Sequence, residues 1–199
     1  MKNQWIPIKE RFLHESPSMQ IVERTCQSSE DSERQYRFYL LRSRDWCNII
    51  PITAEGKVVM VKQHRLGVDA DTLEIPGGVC DSEDSDHQTA AIRELIEETG
   101  YAPEPGAECL SLGFSHPNPA IQNNRVHSFI VGPVKKKQAQ NLDPGEMIEV
   151  VEVPLEEIPQ RIVQGEITHS LMLNTFFYLL LKSDGGFEKL RSSLASFSG

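Results

Sequence analysis

Glu94, Glu97 and Glu98 stand at i, i+3 and i+4 within AAIRELIEETG, so on a helix all three carboxylates point to one side. Like charges placed this way repel by roughly 0.2–0.5 kcal/mol per pair, and a purely structural helix gains nothing from them. A hard divalent cation reverses the sign, because carboxylate oxygens suit Mg²⁺ or Mn²⁺ rather than the nitrogen and sulfur chemistry of zinc sites. Arg93, four residues before Glu97, is spaced to hold one of these carboxylates still. Just upstream, Gly77-Gly78 offers backbone that can approach a ligand with no Cβ in the way. An isolated Glu-Glu pair is ordinarily a solvated helix face. Here it comes with a glycine pair, a helix-start signal, an Arg–Glu spacing and a terminal Gly100, and the combination favours a metal site.

These residues need an element to carry them. Residues 86–99 read as a helix, with Ile92, Leu95, Ile96 and Thr99 on one face, a capping box of Ser85 with Gln88, and Gly100 as the stop. Upstream, residues 36–41, 46–53 and 57–63 read as strands, with Ala54-Glu55-Gly56 as a hairpin turn, and Thr72–Ile75 as a short apolar segment leading to Pro76-Gly77-Gly78. Residues 27–35 are polar and read as a loop. Downstream, residues 110–115, 125–131 and 149–153 read as strands, followed by helices near 155–164 and 170–182 and a frayed tail from Ser183. Strands outnumber helices and are joined by short turns, so the fold expected is α+β, a mixed sheet flanked by helices.

Composition narrows the class of partner. The 199 residues carry 20 basic and 29 acidic side chains, a net charge of −9. Seven acids and one base lie between Asp81 and Glu98, so that one stretch supplies two-thirds of the excess. An acidic protein is a poor match for the dense negative charge of nucleic acid, and no nucleic-acid partner is expected. Lys135-Lys136-Lys137 reads as a solvated turn without the aromatic neighbours of a base-stacking surface. The most apolar stretch, Leu171–Leu181, is too short for a bilayer span of about 20 residues, so no membrane is expected. Cys26, Cys47, Cys80 and Cys109 form no CxxC pair and read as free thiols. With no apolar leader at the start of the sequence, the expected location is cytoplasmic.

The stretch GGVCDSEDSDHQTAAIRELIEETGY, Gly77 to Tyr101, resembles the Nudix box, Gx5Ex7REUxEExGU. Residues 93–101 match its second half completely. Between Gly78 and Arg93 there are 14 residues where the pattern has 13. Counted forward, the early Glu of the pattern falls on Asp84; counted back, on Ser85. The resemblance runs over about residues 45–182 and is to the branch that cleaves ADP-ribose and other nucleoside diphosphate sugars. It includes Gln63-His64-Arg65 at a strand end and the turn Leu73-Glu74-Ile75-Pro76-Gly77-Gly78. Pro117, 17 residues after Gly100, fits that branch loosely.

The resemblance implies a Nudix-like α/β/α sandwich over 45–182, preceded by antiparallel strands in 1–44 that exchange across a homodimer, with 183–199 as a tail. Trp5, Ile6, Ile8, Phe12, Tyr36, Phe38 and Tyr39 supply apolar material for that interface. It implies a Mg²⁺-dependent hydrolase (Mn²⁺ substituting) that splits a nucleoside diphosphate sugar into a nucleoside monophosphate and a sugar phosphate. Glu94 and Glu98 are then the principal metal ligands, with Glu97 a further ligand and the Gly77 carbonyl a backbone one. Arg93 holds the carboxylates. Glu146, in the loop Asn141–Glu146, is the expected general base, with Asp143 and Glu149 as alternatives and Glu97 behind them. Arg65 is expected to bind the diphosphate, Pro117 to border the substrate, and Glu74 either to bind sugar hydroxyls or to pair with an arginine. Trp46 and Phe12 either stack on a base or pack in a core or interface. Two other functions fit the same residues: a sensor that binds a nucleotide sugar without cleaving it, and a nucleoside triphosphate pyrophosphohydrolase.

Overall fold

The computed structural model describes residues 3–186, so most of the tail expected at 183–199 lies outside the described residues. The chain divides into two compact units: residues 1–45 with 116–125, and residues 46–115 with 126–199.

The first unit is a meander of three antiparallel strands, β1 (Trp5–Glu15), β2 (Gln20–Ser28) and β3 (Gln35–Arg42), with β2 in the middle. The polar run 27–35 supplies the end of β2 and the turn into β3. Of its three strands, β2 is the one that buries side chains, through Val22, Cys26 and Ser28. Trp5, Tyr36 and Phe38 pack together, with Phe38 5.5 Å from Trp5 and 5.1 Å from Tyr36 between ring centres. Glu10 pairs with Arg24 and Arg42 across the sheet. Residues 116–125 join this unit through a bond from Leu41 N–H to the Ile121 carbonyl, 2.8 Å.

The second unit is a mixed sheet between helices. Strands β4 (Trp46–Thr53), β5 (Lys57–Arg65), β8 (Tyr101–Ser115), β9 (Val126–Lys136) and β10 (Ile148–Pro154) run in the order β10-β5-β4-β9-β8. Only β4 and β9 pair parallel; the other pairs are antiparallel. Two short strands extend it, β6 (Ala70–Glu74) on β5 and β7 (Gly77–Val79) on β4. Alternation along the strands builds two cores, because successive side chains face opposite ways. Cys47, Ile49 and Val59 face helix α1 (His87–Thr99), which answers with Ala90, Ala91 and Leu95. Ile50, Val58 and Met60 face the other side, where Ile158 of α2 (Ile158–Val163) and Leu171, Met172 and Phe176 of α3 (Ser170–Lys182) close over them. Each fully buried aliphatic side chain contributes about 1.5–3 kcal/mol, and both helix layers are held that way.

Three local expectations are corrected. The α1 start is capped by Asp86, whose carboxylate accepts the Thr89 N–H at 2.7 Å, while Ser85 bonds only the Thr89 hydroxyl. Asp86 wins because the residue immediately before the first turn is the one in extended conformation and within reach of that N–H. Gly77-Gly78 is not merely a turn: it belongs to β7, whose Gly77 and Gly78 pair with Asn48 and Cys47. The strand expected at 110–115 begins at Tyr101, and its first residues lie outside that span because prolines and Gly106 interrupt the apolar pattern.

Candidate active site

Helix α1 is the platform. Its last turn ends in Gly100 at φ 73°, where the Gly100 N–H returns to the Ile96 carbonyl. A Cβ there would stand 2.1 Å from the Gln138 carbonyl oxygen, so glycine lets the following loop dock on the helix end. Asn141 N–H donates to the Glu97 carbonyl at 2.8 Å, and the Gln140 amide donates to the carbonyls of Glu98 at 2.6 Å and Ile148 at 3.2 Å. The loop that carries Asp143 and Glu146 is therefore tied to the helix that carries the acids.

Because Ala90, Ala91 and Leu95 fix which side of α1 faces the sheet, Glu94 and Glu98 are turned toward β7. Glu98 is buried and accepts the Gly77 N–H at 3.0 Å. Glu94 lies over Gly78, where an added Cβ would meet its carboxylate at 2.6–2.8 Å. Glu97 is more open and meets Glu94 through Arg93, whose Nη1 donates to both carboxylates at 2.9 Å. Arg93 spends its other donors on Asp84, through Nε at 3.1 Å and Nη2 at 3.0 Å, and on the Val79 carbonyl at 3.0 Å. Asp84 is not among the site residues expected from the sequence; its signal there is that the early Glu of the box pattern, counted forward from Gly78, falls on it. Between Gly78 and α1 the chain turns at Asp81–Asp84, where Asp84 N–H meets the Asp81 carbonyl and the Asp84 carboxylate accepts the Asp81 N–H.

The electrostatics follow from this packing. Burial pushes Glu94 up from 4.5 to about 7, with Arg93 opposing and Glu97 and Glu146 reinforcing. Burial also raises Glu98 well above the usual carboxylate range, against the Gly77 N–H bond and with Glu94 and Glu146 reinforcing. Arg93 is pushed higher still, first by Asp84. Carboxylates crowded together and drawn out of water are a set of hard oxygen donors that fits a divalent cation. Glu94, Glu98 and Glu97 are the side chains that would hold one.

Beside β7 lies a cavity of about 570 Å³. Trp46, Asn48, Arg65, Glu74, Gly77, Gly78 and His169 are among its lining residues. Glu74 is fully buried and accepts four bonds: Arg65 Nε at 2.8 Å, Arg65 Nη2 at 2.7 Å, the Thr72 hydroxyl at 2.6 Å and His169 Nδ1 at 2.8 Å. Burial alone would raise its pKa; the bonds from Arg65, His169 and Thr72 outweigh that and hold it down at about 2. Of the two roles expected for Glu74, pairing with an arginine is the one the structure displays, since both its oxygens are occupied. The Arg65 pKa is raised, chiefly by its hydrogen bonds to Glu74, which engage Nε and Nη2. His169 was missed by sequence reading: it is 95 residues from Glu74 and belongs to no motif.

Glu146 caps its own loop, accepting the Asp143 N–H at 2.9 Å and donating its N–H to the Asp143 carbonyl at 2.9 Å. Its charge acts on Glu94, Glu98 and Arg65. Glu149 lies on β10 opposite Lys62. Trp46 lines the cavity, whereas Phe12 and Pro117 belong to the first unit. His127, on β9, stacks on His87 at 3.6 Å.

Comparison with known proteins places the chain in a family and a fold. The family model described as the NUDIX domain matches residues 43–171. A methanol dehydrogenase activator from Bacillus methanolicus is 34% identical over 135 residues, covering 67% of this chain and 71% of that protein. An ADP-ribose pyrophosphatase from Bacillus subtilis (strain 168) is 30% identical over the same coverage. An ADP-sugar pyrophosphatase from Mus musculus is 30% identical over 129 residues, 61% of this chain and 58% of that one. The crystal structure of an ADP compounds hydrolase shares the fold with a TM-score of 0.76 at 15% identity, over 90% of this chain and 92% of that one.

Proposed function

The chain belongs to the NUDIX domain family, and from that premise we infer that it is a pyrophosphatase cleaving nucleoside diphosphate sugars, ADP-ribose foremost, into a nucleoside monophosphate and a sugar phosphate. The observation that carries this reading is the seating of Glu94 and Glu98 on β7, whose Gly77 and Gly78 also wall the cavity that holds Arg65. Mg²⁺, with Mn²⁺ as substitute, is the cation proposed for Glu94, Glu98, Glu97 and the Gly77 carbonyl. When bound it would neutralise diphosphate charge and lower the pKa of water.

The chain's own residues do the rest. Arg93 holds Glu94 and Glu97 in fixed orientation, and Asp84 holds Arg93. Arg65, clamped on Glu74, presents Nη1 to a phosphate oxygen. Glu146 takes a proton from the attacking water while that oxygen bonds phosphorus and the bridging P–O bond breaks, the leaving phosphate departing with the sugar or the nucleoside. A loop anchored by Gln140 and Asn141 yet exposed at Pro144 and Gly145 can carry Glu146 inward on substrate binding. A second copy of the chain is proposed to cover the exposed Trp5, Ile6, Phe12, Tyr36 and Tyr39 of the first unit, giving a cytoplasmic homodimer.

The test is product analysis with Mg²⁺ over ADP-ribose, other nucleoside diphosphate sugars and nucleoside triphosphates. AMP and ribose 5-phosphate from ADP-ribose are expected. Pyrophosphate release from triphosphates at far higher kcat/KM would replace this reading. Micromolar binding with no turnover of any substrate would make the protein a sensor.

A further inference from the structure

His169 reaches the cavity from the start of α3, where it stands just before Ser170 and caps nothing with its side chain. Its Nδ1 meets Glu74 Oε2 at 2.8 Å, the same oxygen that takes Arg65 Nη2 at 2.7 Å. Glu74 is fully buried and carries four donors, so it is the ionised, acceptor-only form, and the shared proton of this contact sits on His169 Nδ1. Nδ1 is thereby the donor to Glu74, and the tautomer that keeps this bond turns a lone pair outward at Nε2. The ring is about a third exposed, and it lines the same cavity as Arg65, Asn48 and Ser170, between the apolar side chains of Trp46, Val68, Leu171 and Met172. A lone pair repels phosphate oxygens and accepts from a hydroxyl, whereas the Arg65 guanidinium next to it does the reverse. The two groups, set on one buried carboxylate, form a paired reader of an anion and a neighbouring hydroxyl.

We propose that His169 is a specificity-determining residue of the hydrolase: its Nε2 accepts a hydrogen bond from a ribose hydroxyl of the bound nucleoside diphosphate sugar while Arg65 takes the adjacent phosphate. The proposal rests on the reading given above for the site and adds to it which group on the substrate is recognised, and by which atom.

The discriminating variant is His169→Asn, whose amide nitrogen can keep the donor to Glu74 while leaving nothing in place of Nε2. Steady-state kinetics are measured with ADP-ribose and with analogues lacking one hydroxyl on either ribose. KM for intact ADP-ribose is expected to rise about five- to tenfold, the worth of one neutral hydrogen bond, with kcat nearly unchanged. For the one analogue that lacks the contacted hydroxyl, wild type and His169→Asn should have equal KM. His169→Gln, which restores an acceptor farther out, should recover part of the loss. Unchanged KM in His169→Asn, or the same rise for every analogue, overturns the proposal; the latter means that the residue merely supports Glu74 and Arg65. If the wild type cleaves none of these compounds, the hydrolase reading fails separately. Calorimetric titration of metal-free wild type and His169→Asn with ADP-ribose and the analogues then decides on His169 alone, equal affinities for all counting against it.

Discussion

Gly78 and Glu94 claim the same space: a Cβ on Gly78 would stand 2.6 Å from Glu94 Oε1 and 2.7 Å from its Cδ. The backbone at Gly78 lies outside the left-handed region, so an alanine there is strained only by this clash. The obstacle is the far end of a flexible side chain, and it will move aside at little cost to the fold. Gly78→Ala should therefore melt within a few degrees of the wild type while kcat falls about 10²-fold, the usual penalty for displacing a positioned group by an ångström. Near-wild-type kcat in Gly78→Ala would mean that the position of Glu94 is unimportant.

Arg93 reaches Glu94 and Glu97 with one edge while Asp84 holds its other edge at 3.0 and 3.1 Å. In Asp84→Asn the amide accepts one of those two bonds and turns an N–H toward the guanidinium. Activity should drop about ten- to hundredfold, and Asp84→Glu should restore part of it, since a carboxylate returns with one more methylene. Equal activity in wild type and Asp84→Asn would remove Asp84 from the machinery.

Glu146→Gln should lower kcat by about 10²–10⁴ with little change in KM or in the affinity for Mg²⁺, since the residue lies on the loop and not among the helix acids. The rate should recover in part as pH rises and hydroxide replaces the assisted water. If Asp143→Asn or Glu149→Gln loses activity and Glu146→Gln keeps it, the base is another acid of the same segment.

The metal-free protein should lose stability as pH rises from 4.5 toward about 7. Glu94 binds its proton more tightly folded than unfolded, with its pKa raised from 4.5 to about 7, and Glu98 shifts the same way. Their contribution is fully present below 4.5 and is lost as each ionises in the folded protein. Glu74 acts with the opposite sign, but its contribution is lost only as pH falls from 4.5 toward about 2, outside this window. Thermal melting in a chelator across pH 4.5–7.5 checks the slope. Glu98→Gln should flatten it and raise Tm at pH 7, and adding Mg²⁺ to the wild type at pH 7 should recover stability. A metal-free Tm that climbs steadily through this window would contradict the burial of these acids.

What could be read from the sequence is what depends on neighbours in the chain. The placing of Glu94, Glu97 and Glu98 on one face follows from helical geometry over five residues, and so does the reach of Arg93 to Glu97. Gly100 as the stop of α1 follows from the left-handed conformation that a helix end takes. The sheet with flanking helices followed from strand-like runs and short turns. Even the Arg65–Glu74 pair is local, because β5 and β6 form a hairpin that sets Val61 opposite Glu74 and Arg65 opposite Ala70. Tertiary structure decided the rest. The fourth partner of Glu74, His169, comes from 95 residues along the chain, brought there by the packing of Leu171 and Met172 against the sheet. That Glu98 meets Gly77 N–H, and Glu94 the bare surface of Gly78, depended on the pairing of β7 with β4 and on the burial of Ala90, Ala91 and Leu95 beneath α1. Periodicity records which residues share a face; what that face meets is set by contacts between segments far apart in the chain, and no spacing within one segment encodes them.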